Sequence, residues 1–257
     1  MFTSVFHTIL YQPIFNFFVG LYNLIPGHDV GLVILIITIL IRILVWPLTS
    51  SSIKAQRSVQ ELQPKVDAVK KEFANDQQKQ AAELMKLYKE NKVNPFSSCL
   101  PLLIQLPILI ALYMVMRDGL MADKFAVELY SFVDNPGKLN PLSLGFLDMA
   151  KPNYVLAILA GLAQFWQAKT MMSKQPPKAA GAGAKDEGMM ATMNKQMLYF
   201  MPVMTVIIGF GLPAGLTVYW FFSTLLTVAQ QSILLKKKNK KNPVEEKVIE
   251  GKVEEIK

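Results

Sequence analysis

The chain has 257 residues, of which 52% are hydrophobic and 18% charged, with a formal net charge of +8 and a mean hydropathy of +0.29. That balance excludes an ordinary soluble domain and a protein that meets only lipid, and it predicts a small all-α polytopic membrane protein. The charge is segregated: Met1 to Ile41 hold no Lys or Arg, whereas Lys54 to Lys92 and Lys236 to Lys257 are dense in basic residues, which marks the cytoplasmic side.

Residues 1–28 are aromatic-rich and apolar but interrupted by Pro13 and Pro26, with Tyr11, Gln12 and Asn16 interspersed. They predict an N-terminal interfacial amphipathic helix on the outer surface; the alternative is a sixth spanning helix, against which Pro13 and the short apolar runs count. The first residues carry no basic n-region of a cleavable signal, so targeting is expected to reside in the first span. That span is residues 29–50. Its apolar run from Val30 to Leu48 rises about 1.5 Å per residue and crosses most of a roughly 30 Å hydrocarbon core.

Residues 51–94 are polar, with heptad-like apolar positions at Val59, Leu62, Val66, Val69 and Phe73, then Leu84, Leu87 and Tyr88. This spacing predicts a cytoplasmic helical hairpin turning near Asn75 and Asp76, with Pro64 kinking its first arm or restarting a helix there. A second span covers 95–117 and bears Pro101, Gln105 and Pro107. Cys99, the only cysteine, lies in this apolar stretch, which excludes an intramolecular disulfide and a cysteine metal cluster and reads as a small buried hydrophobe. The stretch 118–152 is relatively poor in Lys and Arg and belongs outside. A third span, 153–169, carries Gln164 and Gln167 near its inner end, and 170–194 is a Gly, Ala, Pro and Lys rich cytoplasmic linker. The fourth and fifth spans, 195–211 and 214–235, meet at a tight Gly-Pro outer turn, and 236–257 is a basic cytoplasmic tail. Five crossings put the N-terminus outside and the C-terminus inside, with the basic segments on one side.

Arg42 stands out in the first span. An arginine at helix centre costs roughly 2.5 to 3.5 kcal/mol on insertion scales, and the other candidate spans hold no acidic residue to pair with it. Thr38 lies one turn away on the same face. Gln105 and Gln164 place carboxamides in two other spans, and Tyr219 and Trp220 add a phenol and an indole to the last. Buried amides and phenols left unsatisfied cost about 1 to 3 kcal/mol, so these groups point to a shared wet surface that solvates Arg42. The structural alternatives are that Arg42 snorkels to the inner interface, that each glutamine bonds a neighbouring helix, and that Trp220 is an interfacial belt residue. A polar, positive cavity short of anions lowers the barrier for hydrophilic or acidic peptide entering the membrane, with the client supplying the countercharge.

Three ordered blocks carry a family resemblance: PLTSSSIKAQRSVQELQP from Pro47 to Pro64, NPFSSCLPLLIQLPILIALYMVMR from Asn94 to Arg117, and GLPAGLTVYWFFSTLLTVAQQ from Gly211 to Gln231. Across nearly its whole length the chain resembles the YidC/Oxa/Alb membrane protein insertase family, in the short bacterial form without a large periplasmic domain. The resemblance implies five transmembrane helices enclosing a hydrophilic groove open to cytoplasm and lipid, with Arg42 as the charged groove residue and Thr38, Gln105, Gln164 and Trp220 at other groove positions. It also implies a mobile cytoplasmic hairpin needed for insertion, and a bacterial plasma membrane location. The implied partners are nascent membrane protein clients, the Sec translocon and the lipid bilayer, with the ribosome met through the hairpin and basic tail; DNA is not among them. The first basic cluster of the tail reads first as a surface for anionic lipid and only second as a contact for ribosomal RNA. No cysteine precedes Cys99, so the lipidated N-terminus of many Gram-positive members is not expected.

The sequence predicts no enzyme and no cofactor. It holds no GxxxxGK[ST] loop, no HExxH, no Ser-His set and no paired Asp at membrane depth, and neither His7 nor His28 falls in a metal-ligand pattern. The leading expectation is an insertase and membrane chaperone; the competing one is an anion channel or small-solute transporter using Arg42, against which the absence of an obvious inverted repeat counts.

Overall fold

Helices make up most of the described residues. The computed structural model describes residues 2–94, 100–119, 125, 127–172 and 198–241. Cys99, most of the linker (173–194), the start of the fourth span (195–197) and the tail from 242 lie outside the described residues. In chain order the elements are α1 (Phe2–Phe6), a π-helical turn (His7–Tyr11), α2 (Gln12–Leu24), α3 (Val30–Leu44), α4 (Trp46–Glu61), α5 (Gln63–Glu72), α6 (Gln77–Glu90), α7 (Leu100–Asp118), the strands β1 (Leu142–Ser143) and β2 (Leu147–Asp148), α8 (Tyr154–Met172), α9 (Leu198–Gly209) and α10 (Ala214–Lys241). The two strands pair antiparallel, Leu142 opposite Asp148 and Ser143 opposite Leu147.

The apolar run read as one span from 29 to 50 is divided at Val45, where α3 ends and α4 begins. Pro47 explains the break: its ring displaces the carbonyl four residues back, whereas in the first turn of α4 its missing N–H leaves nothing unsatisfied. Among the described residues, Ala214–Leu235 within α10 has by itself the length and apolarity to cross a membrane, and α3 joins it when counted together with α4. α7 and α8 are 19 residues each.

Two compact units account for the tertiary contacts. One comprises Met1–Trp46, Pro101–Phe165 and Tyr199–Leu226; the other comprises Pro47–Leu100, Trp166–Leu198 and Thr227–Lys257.

In the first unit the buried face of α2, Phe15, Phe18, Val19 and Tyr22, repeats at helical spacing after Tyr11, and these side chains join Val33, Ile34 and Ile37 of α3, Leu112 and Val115 of α7, and Leu216 and Tyr219 of α10 in one core. Polar bonds then fasten the N-terminal helices to the segment after α7. Asn16 Nδ2 donates to the Glu128 carbonyl at 2.8 Å, and Asn16 Oδ1 accepts from the Tyr130 N–H at 2.6 Å. The Tyr22 hydroxyl accepts from the Asn140 N–H, Asn23 donates to the Asp134 carbonyl, and His7 Nε2 lies 2.9 Å from a carboxylate oxygen of Glu128. Tyr11 donates to Asp118 Oδ2 at 2.9 Å; burial first, and then that carboxylate, hold its phenol neutral well above the usual range.

α10 enters this core through Gly215, where a Cβ would collide with the side chains of Met116 and Ile34, so only glycine lets α10 approach α3 and α7 there. Its first free N–H groups, those of Ala214 and Gly215, donate to the carbonyls of Lys151 and Met149 at 2.8 and 3.0 Å. Along α8, Ala157, Ala160 and Ala163 are buried, and Tyr154 meets Phe210 edge-on with ring centres 5.1 Å apart.

In the second unit, α5 restarts at Gln63 with Pro64 in its first turn, and α6 is capped by Asp76, whose carboxylate accepts from the Lys79 N–H at 3.0 Å. Ile53, Leu62 and Val66 are buried apolar residues of the first arm, and Gln80 reaches across to the Lys70 carbonyl. Where α4 meets the last turns of α10, Gln230 Nε2 donates to Ser50 Oγ at 2.8 Å and Thr49 Oγ1 at 3.0 Å, fully inside the protein. Beside it Gln231 is buried with its Oε1 unpaired.

Candidate functional site

Ile34, Thr38 and Arg42 recur every fourth residue of α3 and so form one ridge of that helix. Tyr219 and Ser223 do the same on α10. In the first unit these ridges meet. Arg42 donates through Nε to Ser223 Oγ at 2.9 Å, and through Nη2 to both Ser223 Oγ and the Ser223 carbonyl at 2.7 Å each. Every one of those acceptors is neutral. Among the described residues no carboxylate lies within ion-pair distance of Arg42, and its Nη1 has no hydrogen-bond acceptor.

Gln105, on α7, donates from Nε2 to the Tyr219 hydroxyl at 2.7 Å, and Tyr219 stands one turn before Ser223 on the same ridge of α10. Three helices thus contribute to one polar group of Arg42, Ser223, Tyr219 and Gln105. Tyr219 and Ser223 are almost wholly buried, at 1% and 2% exposure, whereas Arg42 and Gln105 keep partial access. The arrangement holds a cation in place by neutral dipoles and leaves its charge uncompensated.

The remaining sequence-predicted residues are placed differently. Thr38 is fully buried at 0% exposure, and its hydroxyl donates to the Ile34 carbonyl of its own helix at 2.6 Å, so it presents no free hydroxyl to Arg42. Trp220 is half-buried, one position round the helix from Tyr219, and its carbonyl accepts from Thr224. Gln164 is half-buried on α8, and its carboxamide makes no hydrogen bond to another described residue. Ser223 was not among the expected residues. Its signal was present in the four-residue spacing from Tyr219, but a serine in a membrane helix ordinarily bonds its own backbone, and nothing in the sequence singled it out.

A double-mutant cycle tests the Arg42–Ser223 contact. Removing Ser223 with Ser223→Ala, alone and in an Arg42→Leu background, is expected to give a coupling of about 1.5 to 3 kcal/mol in detergent unfolding, the range for hydrogen bonds to a charged group. A coupling under about 0.3 kcal/mol, the scatter of additive sites, shows that the two side chains do not act together.

Comparison with known proteins adds a second line of observation. A model of the 60Kd inner membrane protein family matches residues 20–242. The membrane protein insertase YidC of Fusobacterium nucleatum is 36% identical over 211 residues, which cover 80% of this chain and 86% of the relative. The protein of the same name from Oceanobacillus iheyensis is 32% identical over 241 residues, 91% of this chain and 84% of the relative. Against the same-named protein of Anaeromyxobacter the identity is 36% over 208 residues, but the matched region is 33% of that longer protein. The matched span takes in α3, α7 and α10 with the whole Arg42 group, and the chain belongs to the 60Kd inner membrane protein family.

Proposed function

We propose that this protein is a non-enzymatic membrane protein insertase and chaperone that inserts newly made membrane proteins and helps them fold, through a positively charged hydrophilic groove. The observation that carries the reading is Arg42, bonded only to the neutral oxygens of Ser223 and free of any carboxylate among the described residues. A cation held this way attracts an acidic or strongly polar segment of an incoming chain without a competing internal anion to displace. Partial screening in a hydrated groove keeps that attraction transient, which suits a site that has to release its client.

The names of the relatives support the same reading, and the matches span 86% and 84% of the length of two of them. In this proposal the spans are 29–50, 95–117, 153–169, 195–211 and 214–235, with the N-terminus outside and the C-terminus in the cytoplasm of a bacterial plasma membrane. Tyr219 and Gln105 orient the groove wall beside Arg42, while Thr38, Gln164 and Trp220 belong to its lining in the open, client-bound state. The Sec translocon is a second partner, and the ribosome is met through the hairpin 51–94 and the basic tail 236–257.

The test is reconstitution of the full chain alone in anionic vesicles, with insertion of a single-span client carrying an acidic translocated segment as one readout and anion flux as the other. Client insertion without flux supports the insertase. Flux that depends on Arg42, with no insertion, identifies an anion channel or transporter instead.

A further inference from the structure

The segment between α7 and α8 ends in the short β1–β2 hairpin, and the tip of that hairpin is apolar and outward. Leu144 and Phe146 are 74% and 77% exposed. From Asn140 to Leu147 the sequence NPLSLGFL carries no charge. Leu144 also adopts φ 52°, a left-handed conformation that a glycine takes freely and a leucine does not. A large apolar side chain is therefore held outward at a position where the backbone disfavours it.

The tip is tied to the start of α3. Asp29 accepts from the Ser143 hydroxyl at 2.5 Å and the Leu144 N–H at 2.7 Å, and the same carboxylate caps α3 by accepting from the Leu32 N–H at 3.0 Å. Gly31 lets the hairpin approach, because a Cβ there would collide with Ser143. One carboxylate thus joins the hairpin tip to the first turn of α3, whose apolar run is the first membrane segment.

We infer that the Leu144–Phe146 tip is a preformed wedge that inserts among the outer-leaflet lipids beside the N-terminal end of α3. The occupant is a lipid surface for three reasons. The tip is bonded through Asp29 to the N-terminal end of the apolar α3; it lacks the charges that would resist an apolar environment; and its two large side chains stand on a hydrogen-bonded hairpin, so burying them orders little further chain. The wedge anchors the outer segment, which in turn holds α2 through Asn16 and Tyr22. The inference rests on the reading of α3 as a membrane helix.

Nitroxide accessibility tests both separately. In a Cys99→Ser background, labels are placed through Phe146→Cys and, independently, Leu144→Cys, with Lys138→Cys as the aqueous reference and Ile39→Cys, on the exposed face of α3, as the membrane reference. The full chain is reconstituted in vesicles of phosphatidylethanolamine and phosphatidylglycerol. At 144 and 146 the ratio of oxygen to nickel-chelate collisions is expected to exceed that at 138 several-fold and to approach that at 39. A ratio equal to that at 138, with 39 still in lipid, overturns the wedge and leaves the membrane reading of α3 intact. Protection from both reagents at 144 and 146 means that protein, a partner or a second copy, covers the tip, and also overturns it. Nickel access at 39 removes the membrane reading and the wedge with it.

Discussion

Arg42→Glu is expected to reduce insertion of a client with an acidic translocated segment by tenfold or more, whereas Arg42→Lys stays within about threefold of the parent. Two unit charges about 4 Å apart interact by about 4 kcal/mol at an effective dielectric of 20, and hydration lowers this, while about 1.4 kcal/mol already corresponds to tenfold. Reversing the sign both removes the attraction and adds repulsion, so the loss is larger than for a neutral replacement. Glutamate also cannot donate to the Ser223 carbonyl, which Arg42 now meets at 2.7 Å, so the neutral cradle would turn against the new side chain. Lysine retains the charge but not the fork by which Nε and Nη2 reach Ser223 together, and a modest loss of positioning follows. The measurement is protease-protected client in vesicles of the full chain, with folding checked by the thermal melt. Equal insertion by Arg42→Glu and parent would remove the electrostatic account of the groove.

Asn16→Ala is expected to produce the largest stability loss of any single polar truncation in the N-terminal helices. Asn16 is buried, at 4% exposure, and satisfies the Tyr130 N–H, the Glu128 carbonyl and the Gln12 carbonyl at once. Truncation leaves the Tyr130 N–H without its side-chain partner and the Glu128 carbonyl with the longer bond from Gln12 Nε2 at 3.4 Å, in a place that water reaches poorly, at about 1 to 3 kcal/mol for each poorly satisfied group. A total of about 3 kcal/mol is expected in detergent unfolding, with early proteolysis within 118–152. Asn16→Asp keeps the acceptor for Tyr130 and loses the donor to Glu128, so it should fall between the two. If alanine and parent unfold together, the N-terminal helix is held by its apolar face alone, through Phe15, Phe18 and Val19.

How much of this was legible beforehand depends on whether the cause was local. The restart of α5 is encoded by Pro64 and the start of α6 by Asp76, because a missing N–H and a capping carboxylate act within one turn of themselves. Pro47 carried the same message for the end of α3, but the continuous apolar run around it suggested a longer helix. At the site, Arg42 was conspicuous through its charge, and Tyr219 and Gln105 through polarity inside apolar stretches. Thr38 was singled out by its spacing from Arg42, yet its hydroxyl is taken by the Ile34 carbonyl; a threonine in a helix has that bond available whatever lies opposite.

Composition, apolar run length and charge segregation by themselves determined a helical membrane protein with an unpaired arginine in its first apolar helix, since those properties sum over residues and do not depend on which helix meets which. The partner of that arginine was decided only by tertiary structure. Ser223 lies 181 residues away, and what brings it to Arg42 is the close approach of α10 at Gly215 and the shared core of α3, α7 and α10. The same holds for Gln105 on Tyr219 and for the Asp29 carboxylate that joins a helix cap to a hairpin tip. Each is a contact between neutral or singly charged groups with no local sequence signature, and packing alone selects it.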